Sequence, residues 1–387
     1  MKRMRNLLAL LLCAVMILSL SACGEKKATT DTGNDDTIKI AVPAYLTGQT
    51  KDYGDYVIAS VELAISNFNK SGGLNGKLAE AIYEDQGADQ QTYINAMMKL
   101  LNHDDITAVI GNAISTHTLA VADLVAEYKI PYMTCGSSVA IADLGNKYIW
   151  QPRMTDDLAG ALLAKTAIED HNVKKPAIMY QDDAYGQGYC DALVEYYSSQ
   201  GLEPAILISI SATENNFSPF FTQIVNSGCD GLICANSVNQ TPLIFQAAKN
   251  IDFQYPKLMS GAMCSADAFA LAGNEACEGW ISLAEWSNDA TTDAAKAYVE
   301  GYTKAAGRAP SVLAVYAYDA TCLILEAVKL AGSDNPAEVN EALSKIKAFP
   351  GAMANMTYRD NHNFGDSLYS VVMKDGVAVV NGIVERP

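Results

Sequence analysis

Short, almost wholly apolar runs alternate with amphipathic stretches along residues 37–285. A run such as 176–181 has no polar face, as expected of a strand that is covered on both sides. The stretches between the runs carry apolar residues at helical spacing, for example Ile94, Met97 and Leu101. This alternation predicts an α/β fold with parallel sheets that helices cover on both faces.

The alternation occurs twice, first over residues 37–150 and again over residues 176–261. A chain of 387 residues that is 50% hydrophobic is long enough to bury two cores. We therefore expect two doubly wound, Rossmann-like lobes of similar size. Asp375 and Gly376 separate the last two apolar runs and predict a hairpin turn.

The N-terminus has the pattern of an export signal. Lys2, Arg3 and Arg5 precede an apolar stretch over residues 7–20, and Cys23 follows Leu-Ser-Ala. This pattern resembles a bacterial lipobox, which implies a signal peptide over residues 1–22 and a lipid-modified Cys23. The alternative is an ordinary secretory signal. Residues 23–36 contain no large apolar side chain and predict a flexible tether.

Composition argues against several kinds of partner. The formal net charge of −17 disfavours binding to nucleic acid and electrostatic binding of a polybasic surface to anionic lipid. A lipid anchor is therefore the expected membrane contact. The four histidines are scattered and no Cys-x-x-Cys pair occurs, so no metal is expected. Beyond Cys13 and Cys23, seven cysteines remain, mostly in apolar runs. An odd number of cysteines cannot all pair internally. The sequence leaves open whether a disulfide forms between residues 229 and 234 or between residues 264 and 277.

The sequence also lacks the common signatures of an enzyme. It has no Gly-x-Ser-x-Gly elbow and no His-Glu-x-x-His motif. The adjacent acids Asp182 and Asp183 would point in opposite directions on an extended segment, which disfavours paired acid–base chemistry. We expect no catalysis and no cofactor.

Residues 106–138 predict a strand, a loop, a helix, a strand and a second loop. The first loop carries Ser115 and Thr116, and the second carries Gly136, Ser137 and Ser138. Because parallel strands bind ligands beyond their carboxyl ends, where helix N-termini have unpaired N–H groups, the two loops together predict a cradle for a small anion. Either loop alone is a common helix cap.

Five short motifs in order resemble the leucine/isoleucine/valine-binding family of ABC-transporter solute-binding proteins, which has the type I periplasmic binding protein fold. They are T-G-x4-Y-G-D at 47–55, N-x-x-G-G-L-N-G-K at 69–77, V-I-G-x3-S at 109–115, D-x-A-Y-G-Q-G at 182–188 and Y-D-A at 318–320.

The resemblance implies a topology with three crossovers between the lobes, near residues 152–155, 284–286 and 359–365. Lobe 1 would comprise residues 37–153 and 287–359, and lobe 2 would comprise residues 154–286 and 360–387. The ligand would lie in the cleft between the lobes, and hinge closure would trap it.

The resemblance also implies binding residues. Ser115 and Ser138 would donate to a ligand carboxylate, with backbone groups of Ala113 and Gly136. Tyr53 and Tyr185 would line the cleft, and both follow the carboxyl ends of predicted strands.

The sequence departs from the family in the second lobe. Ala262 stands where amino-acid-binding members carry an acid for the ligand's ammonium, and Ser237 replaces an aromatic residue. A buried ammonium without a partner is costly, so Asp267, Glu285 or Asp183 would have to substitute. Trp280 and Trp286 could form an apolar wall or pack the hinge.

These observations predict an exported, lipid-anchored solute-binding receptor, monomeric, that delivers a small carboxylate to an ABC permease. The ligand is an amino acid of the branched-chain type, or alternatively an amine-free aromatic or aliphatic acid. A ligand sensor for a membrane signalling protein is a further alternative that the sequence leaves open.

Overall fold

The computed structural model describes residues 37–353, 355–359 and 361–386 of the chain. Strands and helices alternate through most of these residues, as the apolar pattern predicts. The predicted signal peptide, the predicted lipidation site at Cys23 and the predicted tether lie outside the described residues.

Five parallel strands form the first sheet, in the order β2-β1-β3-β4-β5. The strand order reverses beside β1, because β2 pairs with one edge of β1 and β3 with the other. A ligand crevice is expected at such a switch point. The elements in chain order are β1 (Ile38–Ala44), α1 (Lys51–Lys70), β2 (Ala79–Asp85), α2 (Gln90–Leu101), β3 (Ile106–Ile110), α3 (Ser115–Tyr128), β4 (Tyr132–Met133), α4 (Val139–Asp143) and β5 (Ile149–Trp150).

Seven strands form the second sheet, in the order β15-β14-β10-β9-β8-β6-β7. Strands β6 to β10 are parallel and their order reverses beside β6, whereas β14 and β15 are antiparallel additions. The elements are β6 (Pro176–Gln181), α6 (Ala184–Ser199), β7 (Ile206–Ile210), α7 (Ser218–Asn226), β8 (Gly231–Ala235), α8 (Thr241–Asn250), β9 (Lys257–Ser260), α9 (Ala266–Ala272), α10 (Asn274–Cys277), β10 (Trp280–Ala284), β14 (Ser367–Lys374) and β15 (Val377–Glu385), with α5 (Asp156–Glu169) before β6.

The segment between the two parts of the second sheet returns to the first sheet. The long helix α12 packs along α1, its Ser311 cap accepts from the N–H of Ala314 at 3.3 Å, and Gly332 ends it with φ of 66°. The remaining elements are α11 (Asp293–Ala306), α12 (Val312–Ala331), α13 (Pro336–Leu343) and a small antiparallel sheet of β11 (Phe349–Pro350), β12 (Asn355–Arg359) and β13 (Asn363–Gly365).

Three chain segments meet where the two sheets join. The N–H of Gln151 donates to the carbonyl of His362, and the N–H of Phe364 donates to the carbonyl of Gln151, both at 2.9 Å. In the same region, Arg153 forms an ion pair with Glu285. The protein therefore consists of two doubly wound lobes joined by a three-segment hinge, with a cleft between them. The lobe boundaries given above stay a prediction.

Most predicted elements agree with the structure to within a few residues. Helix α1 begins at Lys51 with a polar first turn, which an apolar period cannot reveal. A 2.5 Å ion pair between Lys51 and Asp55 holds this turn. Helices α4, α9 and α10 were not predicted, since segments of seven residues or fewer carry too few turns to show a period.

The tryptophans and cysteines lie in the packed interior. Trp280 stacks on Phe245 with ring centroids 4.3 Å apart, and Trp286 packs edge-on against Tyr298. All seven cysteines among the described residues are free, and six of them are buried. No helix in the described part of the chain combines the length and apolarity needed to cross a bilayer.

Candidate functional site

A cavity of about 600 Å³ lies between the lobes, at the carboxyl ends of strands from both sheets. This volume is in the range of small-molecule sites. Its walls come mainly from the segments that follow β1, β3, β6 and β8, which are the strands next to the two switch points. The polar lining residues are Tyr45, Thr50, Tyr53, Gln86, Asn112, Ser115, Thr116, His117, Arg153, Gln181, Asp183, Tyr185, Thr213, Ser237, Asn239 and Tyr316.

Ser115 lines the cavity as the first residue of helix α3. Its hydroxyl oxygen accepts from the N–H of Ser138 at 3.2 Å, so its own hydrogen is free to donate elsewhere. The N–H groups of Ser115 and Thr116 lie in the first helical turn, where no intrahelical acceptor exists. This arrangement favours an anion at the N-terminus of α3.

The second loop packs directly behind the first, but it does not line the cavity. A Cβ on Gly136 would lie 3.1 Å from the Ser115 hydroxyl oxygen, so the two loops are adjacent as the sequence predicts. However, the N–H of Gly136 donates to Thr134 at 2.9 Å, and the Ser138 hydroxyl donates to the carbonyl of Ala184 at 3.0 Å. Gly136, Ser137 and Ser138 therefore lie behind the Ser115 loop and outside the cavity lining, and their contact with a ligand stays a prediction.

The other predicted binding residues all reach the cavity: Ala113, Tyr53, Tyr185, Ser237 and Ala262. The hydroxyl of Tyr185 donates to Ser260 at 2.6 Å, and burial raises the pKa of Tyr185 above its ordinary range. The hydroxyl of Ser237 donates to Gln181 at 2.5 Å. Ala262 lines the wall as a methyl group and offers no charge to a ligand.

The three acids that could replace the missing charge have different surroundings. Glu285 does not line the cavity, and its carboxylate accepts from Arg153 and from Tyr316. Asp267 is exposed beside the cleft, where Tyr56 donates to it. Asp183 does line the cavity, although one of its oxygens caps α6 at Gly186 and the other accepts from Gln181.

Sequence reasoning missed Arg153, which is 5% exposed and lines the cavity. Burial by itself would lower the pKa of its guanidinium, but Glu285 together with Tyr316, Asp156 and Tyr185 outweighs burial and holds the pKa above its ordinary range. The sequence signal for Arg153 was the polar end of the run at residues 148–153, which precedes helix α5.

A neutral polar group beside Ser115 was also missed. The amide of Asn112 donates to Gln86 at 3.0 Å and to Nδ1 of His117 at 2.9 Å, and its oxygen accepts from the N–H of Ile114. Burial lowers the pKa of His117 to about 4, so its imidazole is uncharged at neutral pH. These groups orient the loop through hydrogen bonds and add no charge to the cavity.

The lining can hold a small molecule by hydrogen bonds and apolar contacts. Among the residues that the structure describes, no cluster of three or more His, Cys, Asp or Glu side chains could hold a metal. The anion-favouring end lies at α3, and most of the remaining wall is apolar.

A family model described as "Periplasmic binding protein" matches residues 37–377. The chain belongs to the periplasmic binding protein family. A curated relative, the leucine-, isoleucine-, valine-, threonine- and alanine-binding protein of Pseudomonas aeruginosa, is 24% identical over 339 residues, covering 86% of this chain and 90% of that protein.

Solved structures share the fold of this periplasmic binding protein at low identity. The branched-chain amino acid transporter substrate-binding protein LivJ of Streptococcus pneumoniae, in complex with isoleucine, superposes with a TM-score of 0.80 at 22% identity, covering 90% of this chain and 99% of that one. A solute-binding protein of an ABC transporter from Rhodopseudomonas palustris, in complex with 3,4-dihydroxybenzoic acid, gives 0.83 at 20% identity, covering 91% and 98%. These relatives confirm the resemblance expected from the motifs.

Proposed function

We propose that this periplasmic binding protein is the extracytoplasmic receptor of an ABC importer and holds a small carboxylate in the interlobe cavity. The observation that carries the proposal is Ser115, which lines a largely apolar cavity at the N-terminus of α3. The relatives support it, since the isoleucine and the dihydroxybenzoic acid of the two solved structures are both carboxylic acids with an apolar body.

An amino acid is the first candidate ligand, with Asp183 as the group that would meet its ammonium. Asp183 is the one acidic side chain among the described residues that line the cavity. An amine-free acid is the second candidate. Ala262 favours it, because this wall offers no charge where amino-acid-binding relatives are expected to carry an acid.

The first test is thermal unfolding of the purified protein in mild detergent against a panel of acids. The panel pairs isoleucine with its deaminated acid, 3-methylpentanoate, and adds benzoate and 3,4-dihydroxybenzoate. A ligand that binds the native state raises the unfolding midpoint, and the rise grows with the logarithm of its excess over Kd. A panel in which no acid raises the midpoint would contradict the proposed carboxylate receptor.

The change Ser115→Ala removes the donor at the anion end. We expect it to weaken every carboxylate that binds by about 1–3 kcal/mol, because the buried charge loses a hydrogen bond. Calorimetric titration measures the loss. Thr213→Ala is the control, since Thr213 also lines the cavity but belongs to a distant segment of the chain. Equal losses of affinity in both variants would argue against the assignment of Ser115.

The change Asp183→Asn separates the two ligand classes. Asparagine caps helices as well as aspartate does, so α6 keeps its cap at Gly186 while the charge is lost. If the ligand is an amino acid, isoleucine should bind at least tenfold more weakly and 3-methylpentanoate should be unaffected. Unchanged isoleucine binding would remove Asp183 from the site and favour the amine-free acid.

Membrane attachment and partners are part of the same proposal. Cys23 would carry the lipid, the receptor would act as a monomer on the outer face of the cytoplasmic membrane or in the periplasm, and the closed form would dock on permease subunits. Mass spectrometry of the exported parent and of Cys23→Ser tests the anchor, because only the parent should carry acyl chains.

A further inference from the structure

Arg153 has more hydrogen-bonding capacity than its hinge contacts use. A guanidinium carries five N–H groups. Nε and Nη2 of Arg153 donate to Glu285 Oε1 at 2.9 Å and 2.6 Å, and Nη1 donates to the carbonyl of Cys135 at 3.1 Å. One further N–H on each Nη atom remains, and the side chain lines the cavity.

The guanidinium lies close to the anion-favouring end of the cavity. The carbonyl of Cys135, which accepts from Arg153, immediately precedes Gly136. A Cβ added at Gly136 would lie 3.1 Å from the Ser115 hydroxyl oxygen. Arg153 and Ser115 therefore flank the same strand end, that of β4. Both are almost fully buried, Arg153 at 5% and Ser115 at 2% exposure.

The position and direction of the guanidinium are fixed from behind. The ring of Tyr316 stacks on it at 4.1 Å, and the hydroxyl of Tyr316 donates to the second oxygen of Glu285 at 3.0 Å. A Cβ on Gly261 would lie 2.4 Å from that oxygen, so the chain passes against the carboxylate and prevents it from moving away. Planar arginine forks that are held this way bind carboxylates with defined geometry.

We propose that Arg153 is a specificity-determining residue that donates its remaining N–H groups to the ligand carboxylate beside Ser115, with Glu285 as its positioning partner. This inference rests on the proposed carboxylate-binding function and deepens it. Glu285 neutralises the buried cation while the cavity is empty, which avoids an unpaired charge. The site consequently selects for an anionic ligand over an uncharged one of the same shape.

The experiment compares each acid with its primary amide, because the amide keeps the shape and removes the charge. Isothermal titration calorimetry on the full-length protein in detergent uses benzoate with benzamide and 3-methylpentanoate with 3-methylpentanamide. The parent should prefer the acids. In Arg153→Met this preference should fall about tenfold or more, because the charged donors are gone.

Two further variants keep the result interpretable. Arg308→Met is the matched control, since Arg308 also stacks on a tyrosine ring, that of Tyr56 at 3.6 Å, but does not line the cavity. It should leave the acid-over-amide preference unchanged. Glu285→Gln keeps a side-chain oxygen that can accept from Arg153 and hold it in position, but removes the charge that offsets the guanidinium, so the acid-over-amide preference should stay or rise even if Arg153→Met does not fold.

The outcomes separate this inference from the proposed function. An Arg153→Met protein with a lower unfolding midpoint but the parental preference would make Arg153 a hinge contact only and overturn the inference. A lower preference in Glu285→Gln would also overturn it. A parent that binds none of the acids would overturn the proposed function itself, and the inference with it.

Discussion

At the scale of single residues, two buried carboxyl groups give the protein a defined response to pH. Burial raises the pKa of Asp156 to about 8 and that of Asp319 to about 7. The oxygens of Asp319 accept from the N–H groups of Ala352 and Met353, and the Ser137 hydroxyl beside Asp156 only partly offsets the effect of burial on the pKa of Asp156. The native state therefore holds protons that the unfolded chain releases.

The prediction at this scale concerns Asp156→Asn. Because the folded pKa of Asp156 is raised from 3.8 to about 8, its contribution to stability is full below pH 4 and is lost as the pH rises towards 8. The free energy of unfolding of the parent should therefore fall by up to about 1.4 kcal/mol per pH unit over this range. Asp156→Asn should lack this fall.

Urea unfolding of the parent and the variant at pH 5, 6, 7 and 8 measures this effect. Glu195→Gln is the control, since Glu195 is exposed on helix α6. The free energies of unfolding of parent and Asp156→Asn should converge at low pH and separate at high pH. Parallel curves would contradict the prediction.

At the scale of elements, the hinge depends on backbone segments that approach closely. A Cβ on Gly365 in β13 would lie 2.0 Å from the backbone nitrogen of Met154, just before α5. The amide of Asn363 donates to the carbonyl of Arg153 next to it. The first and third crossovers therefore touch through backbone atoms, and only a residue without a side chain fits at position 365.

The change Gly365→Ala should consequently destabilise the protein by about 1–3 kcal/mol, as expected when an added methyl group forces backbone apart. Gly382→Ala is the matched control, because a Cβ at this β-strand glycine would meet nothing within 4 Å. Denaturant unfolding of both variants tests the prediction. Equal stability in the two would mean that the hinge segments can separate without cost.

At the scale of the whole molecule, a few contacts bridge the lobes outside the cavity. The hydroxyl of Ser138, which follows the first sheet's β4, donates to the carbonyl of Ala184 at the start of α6. On another side of the cleft, the hydroxyl of Tyr56 donates to Asp267. Such contacts form only when the lobes approach each other. They favour the closed form over the open form, although they do not contact the ligand.

We therefore expect Ser138→Ala to raise the Kd of any acid that binds by about 2- to 12-fold, the equivalent of one hydrogen bond. The dissociation rate should rise by a similar factor. Stopped-flow fluorescence measures the rate and titration calorimetry measures the Kd. The control is Ser282→Ala, since the buried Ser282 hydroxyl has no hydrogen-bond partner in the described chain and does not line the cavity; a similar loss in that variant would contradict the bridging role.

The sequence by itself determined the fold class, because strand and helix periods are local properties of the chain. The run at Pro176–Gln181 became a strand with the predicted bounds. Ser115 was predicted at the anion end, since a hydroxyl that follows a buried strand and precedes a helix must lie at the carboxyl edge of the sheet.

Only the tertiary structure decided which neighbouring groups face the cavity. Ser138 follows its strand just as Ser115 does, yet its hydroxyl turns to Ala184 because the second lobe packs there. Glu285 and Arg153 are 132 residues apart, so no local pattern could reveal that the acid is paired and that the arginine lines the cleft. Charge pairing and the direction of a side chain depend on contacts between distant segments, and these exist only once the two lobes have folded together.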